Sequence, residues 1–554
     1  MQKRYLPFYL VLGCIPAGAL LFSIAPLWGS ILLVVGLIGG GLGLQDITQN
    51  KKALRKNYPL IARMRMLLES IRPEIRQYFL ETDHEEVPFS REQRALVYRR
   101  AKNIEGLRPL GTLKNLQETG YEWINHSFIS AEIDSEQFRV TIGGSQPNTE
   151  AYSSSILNIS GMSYGALSPT AIESLNKGAE IGGFAHTTGE GSVSRYHTKH
   201  NGDLIWQIGS GYFGCRDDQG RFCPEKFADQ AALEQIKMIE IKLSQGAKPG
   251  HGGILPASKI TEAIAEARGI PMGEDCNSPS SHSAFSTPLE LVQFIQQLRE
   301  LSNGKPVGFK LCIGHPWEFF SIAKAMHETG FLPDFITIDG AEGGTGAAPV
   351  EFADHMGAPL REGLMLVHNT LVGLDLRSKI KLIATGKIVS AFDMARVFAL
   401  GADSCNMARG FMFALGCIQA QACHTGNCPT GVATQDPSRF QSLVVDDKFQ
   451  RVARFQRNTL LALKELMEAS GLNHPAELTA HHLMMRMNSR DVRSAYSQYD
   501  WLEPGELLGD VSDEHPAFAK FWPMATVDTF QPTNVKHSGV DIETAKILHY
   551  QRSA

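Results

Sequence analysis

The stretch Ser155-Ile156-Leu157-Asn158-Ile159-Ser160-Gly161-Met162-Ser163-Tyr164-Gly165-Ala166-Leu167-Ser168 passes from an apolar run of strand length into a turn rich in glycine and serine. The same pattern recurs further along the chain. Ser155–Ile159, Gly183–Thr187, Met238–Leu243, Val307–Leu311, Phe335–Ile338, Ile380–Thr385 and Ser404–Met407 read as strands, with a weaker candidate near Pro271–Asp275. Helical patterns such as Pro288–Leu301 and Trp317–Thr329 separate several of them. This alternation argues for a parallel sheet with crossover helices. A strand count near eight favours a closed (β/α)8 TIM barrel over an open sheet.

Glycine turns follow these strands repeatedly. They include Thr188-Gly189-Glu190-Gly191-Ser192, Gln245-Gly246-Ala247-Lys248-Pro249-Gly250, Asp339-Gly340 with Gly343-Gly344-Thr345-Gly346, Gly386-Lys387, and Ala408-Arg409-Gly410. In a barrel such turns share the C-terminal mouth, where active sites form. Glycine there lets backbone N–H groups cradle a phosphate or lie against a flat ring. The turns after the last two strands form the usual barrel phosphate site, which assigns Gly386, Lys387, Arg409 and Gly410 to that role. Each cluster alone is an ordinary turn; their repeated placement carries the reading.

Apolar residues make up 43% of the 554 and charged residues 20%, which excludes global disorder. A net charge of −5 with no basic stripe among aromatics argues against nucleic-acid binding. The nine cysteines are odd in number and mostly scattered, so reduced thiols fit better than a secreted disulfide framework.

From Tyr5 to Leu44 the chain carries no charged residue. A membrane-crossing helix needs about 20 apolar residues, so the run accommodates two, with a turn offered by Ala25-Pro26 and Gly29-Ser30. Lys3 and Arg4 precede it, and Lys51, Lys52, Arg55 and Lys56 follow. Basic flanks at both ends place both in the cytoplasm. The expectation is a two-span hairpin over residues 1–46, anchored in the inner or plasma membrane, with a cytoplasmic catalytic domain. A signal peptide, whose apolar region spans about 7–15 residues, and a buried core hairpin are the alternatives. Residues 47–149, with Arg63, Arg65, Glu69, Arg72, Glu74 and Arg76 among apolar residues at helical spacing, read as a helical, charged, solvated connector. The barrel is expected over 150–485 and a tail over 486–554.

Four segments resemble the FMN-binding domain of glutamate synthase: Ser160–Ser168, Ile241–Gly250, Gly343–Pro349, and Gly416-Cys417 through Cys428 to Pro437. They occur in family order within residues 150–485, while the hairpin and connector lie outside the resemblance. The resemblance implies an FMN-dependent reductive amination of 2-oxoglutarate, or of a related 2-oxo acid. It assigns Ser160, Gly161, Met162, Ser163, Gly343 and Gly344 to the cofactor. Lys310, at the end of a candidate strand, would stabilise the negative charge of reduced flavin; a strand-end lysine reaching solvent is the bland reading. Lys248 and Arg268 would bind the substrate carboxylates, a dicarboxylate calling for two cations. An exposed surface arginine is the plain alternative for Arg268. Glu190 would orient the substrate or its imine.

Cys417, Cys423 and Cys428 are separated by five and then four residues. In the family this arrangement holds a [3Fe–4S] cluster, and a cluster lacking one iron needs only three thiolates. Zinc with His424 as fourth ligand is the rival, although the spacing lacks the short pairs of structural zinc sites; three unliganded buried thiols is the third possibility.

One departure bears on the substrate. Family members carry a Lys-Pro-Gly-Glu-Gly-Gly-Gln run where this chain has Lys248-Pro249-Gly250-His251-Gly252-Gly253-Ile254. Ile254 cannot make the hydrogen bonds of the glutamine, and His251 changes the local charge. Neither an N-terminal amidotransferase domain nor a long C-terminal β-helix domain is expected, so glutamine would require a separate ammonia-supplying subunit. No Rossmann-type NAD(P)H domain is legible, which points to ferredoxin or a similar carrier as electron donor. Two other readings stay open: an FMN oxidoreductase acting on another amino acid or an N-substituted glutamate, and a non-catalytic flavin-binding redox sensor at the membrane.

Overall fold

The computed structural model describes residues 3–49, 52–85, 88–134, 138–509 and 511–533; Gln2, Lys51 of the basic flank and the tail from 534 onward lie outside the described residues. The chain divides into two compact units, residues 1–92 and 93–554.

The larger unit is built on a closed barrel of eight parallel strands. We number them β1 (Leu157–Ile159), β2 (His186–Thr187), β3 (Leu204–Ile208), β4 (Ile236–Lys242), β5 (Val307–Leu311), β6 (Phe335–Asp339), β7 (Lys381–Thr385) and β8 (Ser404–Met407). Neighbours in sequence are neighbours in the sheet; β8 pairs with β1, and β4 pairs with β5. Every residue of β5 and β6 is buried. Parallel strands covered on both faces read as continuous apolar runs rather than alternating ones, which is why most were visible in the sequence.

One strand was not. The weak candidate near Pro271–Asp275 forms no strand, and the barrel is completed instead by Leu204–Ile208, which is buried throughout. No helix separates it from β2, so the alternation that exposes the other strands is missing there. Segment 271–275 follows helix Glu262–Arg268 and leads to Cys276–Asn277, which pairs with Ile254–Leu255 in a separate two-stranded sheet.

Helix starts obey local capping rules. Ser168 accepts from the Ala171 N–H ahead of Pro169, and Thr287 with Glu290 and Ser390 with Asp393 close capping boxes. Each such cap contributes about 1 kcal/mol. The antiparallel pair Arg139–Gly143 and Ala151–Ser155 carries Ile142 into a buried cluster with Ala185, Ile205, Met238, Phe335 and Ile383. This closes the end of the barrel opposite the glycine turns. The long helix Val445–Ala469 buries Val452, Phe455, Leu460, Leu463 and Met467. It packs on helix Pro169–Gly182 at Gly178, where a Cβ would lie 2.5 Å from Val452 Cγ1. The connector, expected to be helical throughout, is helical among the described residues only as far as Ala101; beyond it lie the strand Glu122–Ile124 and the pair just described.

In the smaller unit, helices Leu6–Phe22 and Pro26–Thr48 pack against each other. Glycine makes the seam: a Cβ at Gly36 would sit 2.6 Å from Ile15 Cγ1, and one at Gly43 2.2 Å from the Phe8 ring. Small residues that bring two backbones together typify helix pairs in lipid. The second helix is long and apolar enough to cross a membrane, and the first is a shorter apolar helix of 17 residues.

Candidate active site at the barrel mouth

β5 ends by presenting Lys310, which is 6% exposed. Its Nζ lies 3.2 Å from Asp339 Oδ2 at the end of β6, and the same oxygen accepts the Gly246 N–H at 3.0 Å. Burial opposes the lysine's charge, but Asp339, Glu240 and Glu190 outweigh it and raise its pKa. Behind this pair the barrel interior holds Glu240 of β4. Gln207 of β3 donates to it at 2.5 Å and Thr337 of β6 at 2.6 Å. Both oxygens of this buried carboxylate are satisfied, as a buried charge requires.

In register, Lys310 stands beside Lys242 of β4. Lys242 Nζ pairs with Glu190 Oε2 at 3.0 Å. Burial works against the Glu190 carboxylate, but Lys242, Lys248 and Arg268 together hold its pKa below the ordinary value. Lys248 shows the opposite balance: burial lowers its pKa, with Glu190 resisting and Lys242 adding to the drop. A pocket beside them is lined by Glu190, Lys242, Ser244, Lys248, His251 and Gly253. Its wall is braced by His282, whose Nε2–H donates to the Lys242 carbonyl at 2.9 Å while Nδ1 accepts from the Tyr212 hydroxyl at 3.0 Å.

Arg268 is 7% exposed, not a surface residue. Its Nη2 donates to the Tyr164 carbonyl at 3.3 Å, its guanidinium lies 4.9 Å from the Phe213 ring centroid, and its Nε has no hydrogen-bond partner among the described residues. It lies against the turns after β1 and β2, since a Cβ at Gly191 would come within 3.3 Å of it.

The turns at the other side of the mouth interlock by backbone. A Cβ at Gly189 would lie 2.5 Å from Ser163 N and 2.8 Å from Met162 C, so the Ser160–Ser163 turn sits directly on the turn after β2. Ser160 Oγ is 3.3 Å from Thr385 Oγ1, and a Cβ at Gly161 would crowd the Gln207 amide at 3.0 Å. Gly343 approaches Asp339 Oδ1, and Gly344 lies against the Arg409 guanidinium. Arg409 donates to the Glu342 carbonyl; burial lowers its pKa to about 10 against the pull of Asp339 and Glu342. Gly386 at φ +133° and Lys387 at φ +53° turn the chain after β7, and Gly410 opens the helix after β8. Two cations at the ends of β7 and β8, beside glycine backbone, suit a phosphate. With Lys310 at the centre, these residues fit FMN.

Helix Arg409–Leu415 ends at Gly416 and leads into the cysteine loop. The Tyr98 hydroxyl donates to the Cys417 carbonyl at 2.6 Å. Burial pushes the Cys417 thiol up to about 11, with Cys423 and Cys428 adding to it. Burial and then Cys428 raise Cys423. For Cys428 burial is outweighed by the Thr430 hydroxyl and the N–H groups of Ala433, Thr430 and Val432, which lower its value. The three thiols belong to one neighbourhood, and their chemistry suits iron. Among the described residues, however, no three His, Cys, Asp or Glu side chains are gathered closely enough to hold a metal ion.

Sequence reasoning placed Lys310, Glu190, Lys248 and Arg268 in this region but missed Lys242, Asp339, Glu240 and Gln207. Glu240 had a signal: a carboxylate inside the apolar run Met238–Ile241 must be hydrogen-bonded.

Residues 111–473 match the family described as a conserved region in glutamate synthase. The chain is 35% identical over 507 residues to the glutamate synthase large subunit-like protein YerD of Bacillus subtilis, covering 83% of this chain and 96% of that one. It is 35% identical over 326 residues to the archaeal-type glutamate synthase [NADPH] of Thermotoga neapolitana, covering 59% of this chain and 61% of that protein. Among solved structures, a flavocytochrome b2 with pyruvate bound aligns over 76% of this chain and 85% of its own, at 11% identity and a TM-score of 0.39.

Proposed function

The chain belongs to the glutamate synthase family, and from that premise we propose that it is an FMN-dependent oxidoreductase that reductively aminates 2-oxoglutarate or a related 2-oxo acid. The observation that carries the reading is the cluster of Lys242, Lys248 and Arg268 around the single carboxylate of Glu190, next to Lys310. Cations in excess over carboxylates at a pocket suit a substrate with two carboxylates. Glu190, kept ionised by its neighbours, is an acceptor for the N–H of an amine or imine. Lys310 offers a buried positive charge where an anionic ring edge would need one. Bound FMN would supply the two-electron chemistry. Ser160, Gly161, Met162, Ser163, Gly343 and Gly344 would border its ring system, and Gly386, Lys387, Arg409 and Gly410 its phosphate.

Cys417, Cys423 and Cys428 would hold a [3Fe–4S] cluster. Ferredoxin or a similar carrier is the proposed electron donor, with ammonia free or from a separate subunit. The hairpin would anchor the chain in the inner or plasma membrane with the catalytic domain in the cytoplasm.

A second reading, an FMN oxidoreductase acting on another amino acid or an N-substituted glutamate, draws support from His251. This residue stands where the family has glutamate; its Nδ1 lies 2.7 Å from the Gly252 carbonyl, and its ring is edge-on to Phe352. One experiment separates the readings. The flavin is extracted and identified, and oxidation of a reduced one-electron donor is followed with 2-oxoglutarate plus ammonia and with a panel of other 2-oxo acids. Turnover with 2-oxoglutarate is expected. Turnover only with a 2-oxo acid unlike 2-oxoglutarate, whose amination gives another amino acid, supports the second reading, and flavin other than FMN overturns the cofactor assignment.

A further inference from the structure

After the hairpin the chain forms helix Ile61–Ile75, of which only Ala62 is buried. Ile61, Met64, Leu68, Ile71 and Ile75 recur at the spacing of one helix face. They are exposed at 44%, 60%, 54%, 39% and 36%, with Leu67 at 60% beside them. Tyr78, Phe79 and Leu80 continue the exposed apolar run through the next turn. Arg65 and Arg72 flank the face on one side, by the same helical geometry. An apolar stripe this long costs solubility unless something covers it.

The start of this helix is tied to the end of the hairpin. Asp46, in the last turns of helix Pro26–Thr48, is fully buried. Its Oδ1 binds Arg55 Nη2 at 2.6 Å; its Oδ2 binds Arg63 Nε at 2.9 Å and accepts the Leu60 N–H at 3.2 Å. Arg63 Nη2 also donates to Gln45 Oε1 at 2.7 Å. Leu60 is held at φ +68° and ψ −51°, a positive-φ backbone that a residue other than glycine rarely adopts. One carboxylate thus fixes a strained corner and keeps the first turn of the exposed helix within a side chain's length of the hairpin's last turn.

We propose that Ile61–Leu80 lies in the surface of the bilayer that holds the hairpin, its apolar stripe among the upper acyl chains and Arg65 and Arg72 at anionic headgroups. This rests on the hairpin being membrane-inserted. A helix of this kind seats its apolar face about 5–10 Å into the headgroup boundary, and aromatic residues such as Tyr78 and Phe79 favour that depth. The hairpin and the surface helix together give two kinds of attachment, one spanning and one lying flat, joined at Asp46.

The test uses the full chain in phosphatidylcholine–phosphatidylglycerol vesicles whose acyl chains are brominated near the glycerol. Tryptophan is introduced by Leu68→Trp or Ile71→Trp on the stripe and by Ser70→Trp off it, and Trp28 of the hairpin is read from the difference made by Trp28→Phe. The stripe variants are expected to lose much of the added emission to lipid quenching, since an apolar face seated at the headgroup boundary lies at the depth of the bromines, and Ser70→Trp much less. Equal quenching on and off the stripe overturns the proposal. So does added emission from the stripe that is shielded from acrylamide yet unquenched by lipid, which would put a protein surface there. In both cases quenched Trp28 leaves the hairpin reading standing; unquenched Trp28 brings down both.

Discussion

Removing either member of the Lys310–Asp339 pair should cost stability unequally, and the structure says which costs more. At 3.2 Å, with an effective dielectric of about 20, the gross attraction is about 5 kcal/mol. Desolvation offsets much of that, and breaking one side of a buried pair typically costs about 3–5 kcal/mol because a charge is stranded. In Asp339→Asn the lysine keeps Glu240 and Glu190 as counter-charges, so the loss should fall near about 3 kcal/mol. Lys310→Met leaves Asp339 without its ion-pair partner and takes a neighbouring cation from buried Glu240, and its loss should reach about 5 kcal/mol. The sign with pH follows from the raised pKa of Lys310. The pair's contribution is complete below 10.5 and disappears only as pH climbs through the folded-state value above it. Both deficits are therefore full at neutral pH and shrink in strong alkali. Urea unfolding of both single variants and the double variant supplies the cycle. A double variant whose loss equals the sum of the singles would refute the coupling, as would Asp339→Asn being the worse of the two.

Four further outcomes are expected. Gly386→Val should lower bound flavin per chain, measured by absorbance after extraction, because φ +133° strains a branched residue by about 1–3 kcal/mol and its Cβ would press on Gly340 N. Glu190→Gln should destabilise the protein at neutral pH with a deficit that fades as pH falls below 4.5, since a depressed carboxylate stabilises only while ionised; parallel melting curves across pH would contradict this. Serine at Cys417, Cys423 or Cys428 should remove most iron and sulfide while Cys215→Ser does not, as determined by metal analysis of anaerobically purified protein, and stoichiometric zinc in the wild type would refute the cluster. Gly36→Leu should weaken the hairpin by about 1–3 kcal/mol through overpacking on Ile15, seen as a lower melting temperature in vesicles.

The barrel was legible because its buried parallel strands are apolar on both faces and end in glycine. Leu204–Ile208 was not, because it carries Trp206 and Gln207 and follows β2 with no helix between them. Lys310 and Glu190 could be read from their places beside strand ends and glycine turns. Their partners could not: whether Lys242 meets Glu190 or some other carboxylate depends on barrel closure and strand stagger, which no local pattern encodes. Arg268 illustrates the same limit. Its helical sequence context is that of a surface residue, and it is buried by the turns after β1 and β2 folding over it together with the Phe213 ring.

The register of β4 against β5 gives the site its logic. It sets Lys242 beside Lys310 at adjacent strand ends, where like charges repel. Two cations can sit side by side there when each has its own counter-charge. The chain supplies these from opposite sides: Glu190 comes from the turn after β2 to Lys242, and Asp339 comes from the end of β6 to Lys310. The two carboxylates are not interchangeable. Asp339 is also tied to the Gly246 backbone and lies against Gly343, so it belongs to the scaffold of the mouth. Glu190 borders the pocket with Lys242 and Lys248, and its charge is shared among these two lysines and the buried Arg268, so it would not be stranded if Lys248 turned to an incoming carboxylate. Beneath both lysines, Glu240 spans from β3 to β6 through Gln207 and Thr337, fixing the depth at which the two positive charges sit. A substrate anion would then meet Lys242 and Lys248 on the pocket side, while Lys310, committed to Asp339, would keep its charge for the cofactor side.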